Sequence, residues 1–139
     1  PHLDPNIRGV WHRLGLNHER GHLARAAFEG VAFALKDGLK ALEDTDIHAD
    51  SLRLAGGGTL HDAWRQLLAD VLEKPLESVS VASSSARGAA LLAGLAVNTF
   101  SVQDILAFTP KPERVAEPIK DERLELAYQR FVGLYLKVR

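Results

Sequence analysis

The 139-residue chain contains no cysteine and no methionine. The first absence excludes disulfides, Cys-ligated zinc and thiol catalysis, and it fits a cytosolic protein. The second carries a different message. Ordinary composition predicts about three methionines, and the first residue is Pro1. Together these predict a piece of a longer protein, so that a function read here belongs to a larger whole. An excess of one charge is also missing, since 17 Lys and Arg face 18 Asp and Glu, a net of −1. Phosphate contacts need surplus Lys and Arg, which argues against a dedicated nucleic-acid binder. Long apolar runs are absent as well. The longest, Gly88 to Val97, is about half of a membrane span, and no signal peptide is visible. Neither a membrane nor a nucleic acid is expected as a partner.

What is present is globular. Hydrophobic residues make up 46% and charged residues 25%, far from a disordered composition. The length suits one domain. A compact monomer of 15.2 kDa would expose roughly 7,000 Å².

The pattern along the chain is mainly helical. Val10 to Leu16 could hold one short strand. His22 to Glu43 reads as a long helix, with Ala24, Phe28, Val31, Leu35, Leu39 and Leu42 as its apolar stripe. Gly30 and Gly38 each cost about 1 kcal/mol against Ala there, which suggests close approach of another backbone or simple tolerance. Ser51 to Ala55 alternates like a strand. The glycines 56–58 follow, then a possible Thr59–Asp62 capping box and a helix ending before Pro75. Leu76 to Val81 is a second strand candidate, followed by an Ala/Gly-rich helix from Ala86 to Val97. Ser101 and Asp104 form a further capping box for a short helix. Thr109 to Pro118 holds three prolines and reads as extended, and Asp121 to Val138 is the last helix. The order strand, helix, strand, helix predicts parallel pairing through crossovers.

The strongest local signal for chemistry is the strand, Gly56-Gly57-Gly58, helix sequence. Glycines admit a ligand close to the backbone, and a helix start attracts anions. The functional reading is a nucleotide or phosphate site; the plain one is a tight turn. The run is neither a dinucleotide fingerprint nor a Walker A loop, since no Gly-Lys-Ser/Thr follows. His18 and His22 could share a helix face as metal ligands, but no third ligand has suitable spacing, and polar residues near a helix start are the better reading. The serines 83–85 read as a helix cap ahead of a phosphate nest. Glu29 and Asp70 are expected to hydrogen-bond a neighbouring loop or strand. Arg87 begins a helix, where its charge opposes the macrodipole, so an ion pair or phosphate contact is expected. No residue stands out as a general base.

Several segments, in order, resemble one family. They are Leu54 to Gly58 (LAGGG), Trp64 to Val71 (WRQLLADV), Pro75 and Gly88 to Ala93 (GAALLA), preceded by Asp4 to Asn6 with Arg8-Gly9 and by His22 to Gly30 (HLARAAFEG). Together they resemble the C-terminal domain of the FGGY carbohydrate kinases across nearly the whole chain. Among the family's branches the wording is most similar to the xylulokinases. Two departures are plain: Arg13 stands where the family's second signature usually has Gly, and Ser83 to Arg87 replaces an acidic, Ala-rich approach.

The resemblance implies an α/β fold of the ribonuclease-H-like, actin-like ATPase kind, mostly helical with a short, largely parallel sheet. It implies that residues 1–139 are the ATP-side domain, lacking its N-terminal edge. It implies ATP and Mg²⁺ as cofactors of the full-length parent and D-xylulose as the sugar, bound through an N-terminal domain absent here. Gly56, Gly57 and Gly58 would lie against the adenosine and phosphates of ATP. His61 would lie near the adenine, able to stack on it or donate to it. Trp64 and Gln66 match packing positions. The catalytic Asp and the first phosphate loop of the family lie upstream, so this chain is assigned no catalytic residue and is expected to be inactive alone. It is also expected to self-associate, through the Val10 to Leu16 edge or the Ala/Gly helix. The alternatives are a ribulose, gluconate or glycerol kinase, an actin-like ATP-binding regulator without turnover, and a helical interaction module whose glycine run is a plain turn.

Overall fold

The structure is a computed structural model that describes residues 8–56, 61–79, 81 and 83–138. Among these, α1 spans Arg20–Glu43, β1 Leu52–Leu54, α2 Asp62–Leu72, β2 Leu76–Ser78, α3 Ser84–Ala96, α4 Val102–Phe108, β3 Glu113–Ala116 and α5 Glu122–Val138. The domain is mostly helical with a short mixed sheet.

The sheet has the order β1-β2-β3. β1 and β2 are parallel, with Leu52 opposite Leu76 and Leu54 opposite Ser78. β2 and β3 are antiparallel, with an irregularity between Leu76 and Glu77. The proline-bearing stretch thus adds an antiparallel edge, so the sheet is less uniformly parallel than expected. Pro110 and Pro112 precede β3 and Pro118 follows it, leaving its interior N–H groups free to pair. Glu77 faces Arg53 at 4.0 Å and Arg114 at 3.7 Å, one carboxylate between two cations across the ladder.

Val10 to Leu16 is not a strand. Arg13 turns it out of the extended range with φ +64. At Gly15 the chain folds back, its N–H donating to His18 Nδ1 at 2.7 Å. Arg13 thus sits in a conformation that glycine takes without strain.

The core lies where α2 crosses β2, α1 and α5. Leu67, Leu68, Ala69, Val71 and Leu72 of α2, Leu76 of β2, Phe33 of α1 and Tyr128 of α5 are all buried. The Phe33 ring lies 5.8 Å from Tyr128 and 5.6 Å from Phe131. The buried side of α1 differs from expectation. It runs through Ala32, Phe33 and Lys36, whereas Phe28, Val31, Leu35 and Leu42 of the apolar stripe are half exposed. A Cβ on Gly30 or Gly38 would meet nothing within 4 Å, so no neighbour within the described chain requires glycine there. In α5, Leu124 and Tyr128 are buried as the stripe predicts; the side chains of Tyr135 and Leu136 lie outside those described.

Candidate nucleotide site

The chain leaves β1 and reaches Gly56 two residues later, with φ +94. A side chain rarely adopts that conformation. Among the described residues an added Cβ would meet no atom within 4 Å, so there the backbone angle favours glycine. Gly57 and Gly58 lie outside the described residues. His61 is the N-cap of α2, with extended backbone and no side-chain cap bond. It is exposed. Its carbonyl accepts from the N–H groups of Trp64 at 3.0 Å and Arg65 at 3.1 Å. The helix begins at Asp62 itself, and Thr59 of the expected capping box lies outside the described residues.

The parallel pairing makes this end of the sheet the candidate site. β1 and β2 end in the same direction. α2 follows the end of β1, and α3 follows the end of β2. In chain order each helix therefore follows the same end of the parallel pair. That end is where open α/β sheets take ligands, and helix N-termini favour anions. Ser83 is the N-cap of α3, in the left-handed region at φ +51. Its hydroxyl makes no cap bond, so the serine-cap reading holds for the position and not for the side chain.

The other singled-out residues have structural duties. Asp70 accepts from the Ile119 N–H at 2.8 Å and from Gln66 Nε2 at 2.7 Å. Gln66 also donates to the Glu117 carbonyl at 2.7 Å, so the pair fastens α2 to the segment after β3. Trp64 packs on Phe28 at 5.4 Å. Glu29 does not reach a neighbouring element but pairs with Arg25 on its own helix at 2.6 Å. Arg87 donates to the Phe108 carbonyl at 2.6 Å, which satisfies the end of α4. His22 accepts from the Glu19 N–H at 3.1 Å as part of the α1 capping box. No group of three His, Asp or Glu among the described residues is placed to hold a metal ion.

One cluster was not visible in the sequence. Lys36 is buried and donates to Glu73 at 2.7 Å and Glu125 at 3.1 Å. Tyr128 donates to Asp37 at 2.7 Å, beneath Lys36 and Lys40, whose ammonium groups stand 4.9 and 4.5 Å from its ring centre. Burial alone would lower the Lys36 ammonium, but the bonds to Glu73 and Glu125 outweigh it and hold the pKa above its ordinary value. Lys36 pulls the Glu125 carboxyl down. Burial, then the bond to Asp37, pushes the Tyr128 phenol up. The cluster ties α1, the end of α2 and α5 together. The only trace in the sequence is Lys36 falling one turn after Ala32 and Phe33.

A mostly helical domain with a short sheet, whose two parallel strands each feed a helix, is of the actin-like ATPase kind. The C-terminal-domain model of the FGGY family of carbohydrate kinases matches residues 1–97. The chain belongs to that family. It is 31% identical over 144 residues to the glycerol kinase of Limosilactobacillus reuteri DSM 20016, covering 96% of this chain and 29% of that protein. It is 35% identical over 132 residues to the xylulose kinase of Escherichia coli K12, covering 93% of this chain and 26% of that protein. The solved xyloylose kinase from Brucella ovis matches at TM-score 0.82 and 33% identity, covering 99% of this chain and 29% of that one. The xylulose kinase from Rhodospirillum rubrum matches at TM-score 0.77 and 32% identity, covering 96% and 28%. The chain thus spans less than a third of the length of these relatives.

Proposed function

We propose that residues 1–139 form the ATP-side part of the C-terminal domain of a sugar kinase, and that the parent transfers the γ-phosphoryl group of ATP to a hydroxyl of D-xylulose in the cytoplasm. The observation that carries this reading is that α2 and α3 follow, in chain order, the same ends of the parallel strands β1 and β2, with Gly56 at φ +94 two residues after β1. Helix starts there would offer backbone N–H groups to a polyphosphate. Gly56, with Gly57 and Gly58, would line the phosphates, and His61 at the α2 cap would meet the adenine. Mg²⁺ would ride on the phosphates, since this chain's described side chains build no cage for it. Phosphoryl transfer depends on holding donor, metal and acceptor together. A chain with only the donor side would bind nucleotide and not turn over.

Xylulose is favoured by the likeness to the solved xylulose kinases. Glycerol is the second reading, favoured by the name of the Limosilactobacillus relative, which covers 96% of the chain. Side-by-side assays of the purified parent with both acceptors decide between them. A higher kcat/KM on glycerol overturns the sugar and leaves the donor site standing. For the donor site, Gly56→Val in the parent is expected to raise the ATP KM about tenfold or more while the acceptor KM stays within about twofold. An unchanged ATP KM overturns the glycine assignment.

A further inference from the structure

Two imidazoles hold the start of α1, and both do so as hydrogen-bond acceptors. The Gly15 N–H donates to His18 Nδ1 at 2.7 Å, and the Glu19 N–H donates to His22 Nδ1 at 3.1 Å. A backbone N–H can only donate, so each Nδ1 must offer its lone pair. That selects one state for both rings, neutral with the proton on Nε2. In this state neither ring offers a metal ion a lone pair. A protonated ring has no acceptor left. The Gly15 carbonyl, 3.3 Å from His18 Nδ1, is the one alternative partner in reach, and it already accepts from the His18 N–H at 3.1 Å.

The surroundings oppose a positive charge at this corner. The two rings stand 5.6 Å apart, edge to face, so two protons there repel. Arg8, His12 and Arg13 precede the pair, and Arg20 and Arg25 follow it in α1. Glu19 is the acid at the cap, the first turn of the helix carries none, and Glu29 is taken by Arg25 at 2.6 Å. Positive charge at a helix N-terminus also opposes the macrodipole. Among the described residues, the hydrogen bonds and ring contacts of His18 and His22 stay within residues 15–22.

The same corner fixes the segment ahead of the helix. Arg13 holds φ +64, an angle strained for a residue with a side chain. Trp11 Nε1 donates to the Leu23 carbonyl at 3.3 Å, one residue after His22. Loosening the first turn therefore loosens the Trp11 anchor with it. We propose that His18 and His22 form a proton-operated latch: neutral, they clasp residues 11–19 to the start of α1, and protonated, they let that segment go and fray the first turn. An imidazole ordinarily takes up a proton near pH ~6.5, so the latch is closed at pH about 7.5 and open at pH about 5. It rests on the geometry of this corner and is independent of the kinase reading.

Water-exchange NMR on the 139-residue chain reads the latch, as protection factors corrected for the intrinsic effect of pH. From pH about 7.5 to about 5, protection of the Gly15 and Glu19 amides and of the Trp11 indole N–H is expected to fall about fivefold or more, while the α2 amides stay within about twofold. Unchanged protection at the corner overturns the proposal. His18→Asn with His22→Gln keeps an acceptor at both places, Gln being the usual partner at the third helical position, and takes up no proton. Its protection is expected to be flat over the same range. A fall as large as in the wild type overturns the proposal and points to another group, His12 among them. His18→Ala with His22→Ala has neither acceptor nor charge, and alanine favours a helix, so its far-UV helix signal is expected to persist. It is expected to show the open level of protection at both pH values. Protection at the wild-type neutral level in this variant means that the rings hold nothing, and overturns the proposal.

Discussion

Lys36 is the one charged side chain buried among the described residues, and its partners set a pH window. The folded pKa of Glu125 lies below its ordinary value because Lys36 bonds it. Its contribution is therefore present above pH about 4.5 and lost as pH falls through the folded value. Lys36 and Tyr128 have folded values above their ordinary ones. Their contributions are complete below pH about 10 and lost as pH rises through the folded values. The docking of α5 on α1 is thus expected to be strongest between these limits. Lys36→Met keeps much of the buried stem and removes the ammonium. It is expected to lower stability by about 1–2 kcal/mol at neutral pH and to flatten the acid limb. Urea midpoints at pH 7 and pH 4 measure both effects, and an equal acid loss in variant and wild type contradicts the assignment.

At the scale of elements, α3 and α4 form a unit apart from the main core. Phe100 lies over Gly94 so closely that any Cβ there would run into its ring. The ring also meets Phe108 edge-on at 5.7 Å. Gly94→Ala is expected to cost about 1–3 kcal/mol by overpacking, although alanine favours a helix more than glycine. Hydrogen exchange reads this as faster exchange in α3 and α4 and little change in α1 and α2; an unchanged pattern contradicts the packing. The capping box of Ser101 and Asp104 is formed, with Ser101 Oγ accepting from the Asp104 N–H at 3.2 Å and the Asp104 carboxylate accepting from the Ser101 N–H at 2.8 Å. Ser101→Ala is expected to cost about 1 kcal/mol, confined to the protection of α4. Such local features were legible in the sequence, because a cap depends on residues three apart. The faces of α1 were not. Phe28, Val31 and Leu35 read as a core stripe, yet Ala32, Phe33 and Lys36 turn inward. Periodicity says that a face is apolar; only the neighbours say which face they cover.

The whole molecule exposes much apolar surface. Trp11 at 54%, Leu16 at 110%, Leu92 at 68% and Leu106 at 70% exposure add to the outer face of α1. No described helix is long and apolar enough to cross a membrane. Exposed apolar side chains bind apolar dyes. The 139-residue chain is expected to enhance 1-anilinonaphthalene-8-sulfonate fluorescence several-fold over a compact protein of equal mass. A response at the level of a compact control contradicts this.

The order of the motifs, by its resemblance to a known family, pointed to the family and its α/β architecture, and local pattern placed Gly56 between a strand and a helix. These depend on residue type, short-range spacing and chain order, all of which a sequence states directly. The tertiary structure decided that the prolines flank an antiparallel edge strand, that Arg87 serves the end of α4, and that Lys36 unites three helices. Each of these joins residues far apart in the chain, as Lys36 and Glu125 do. Their pairing follows from how the helices pack, which no local pattern encodes.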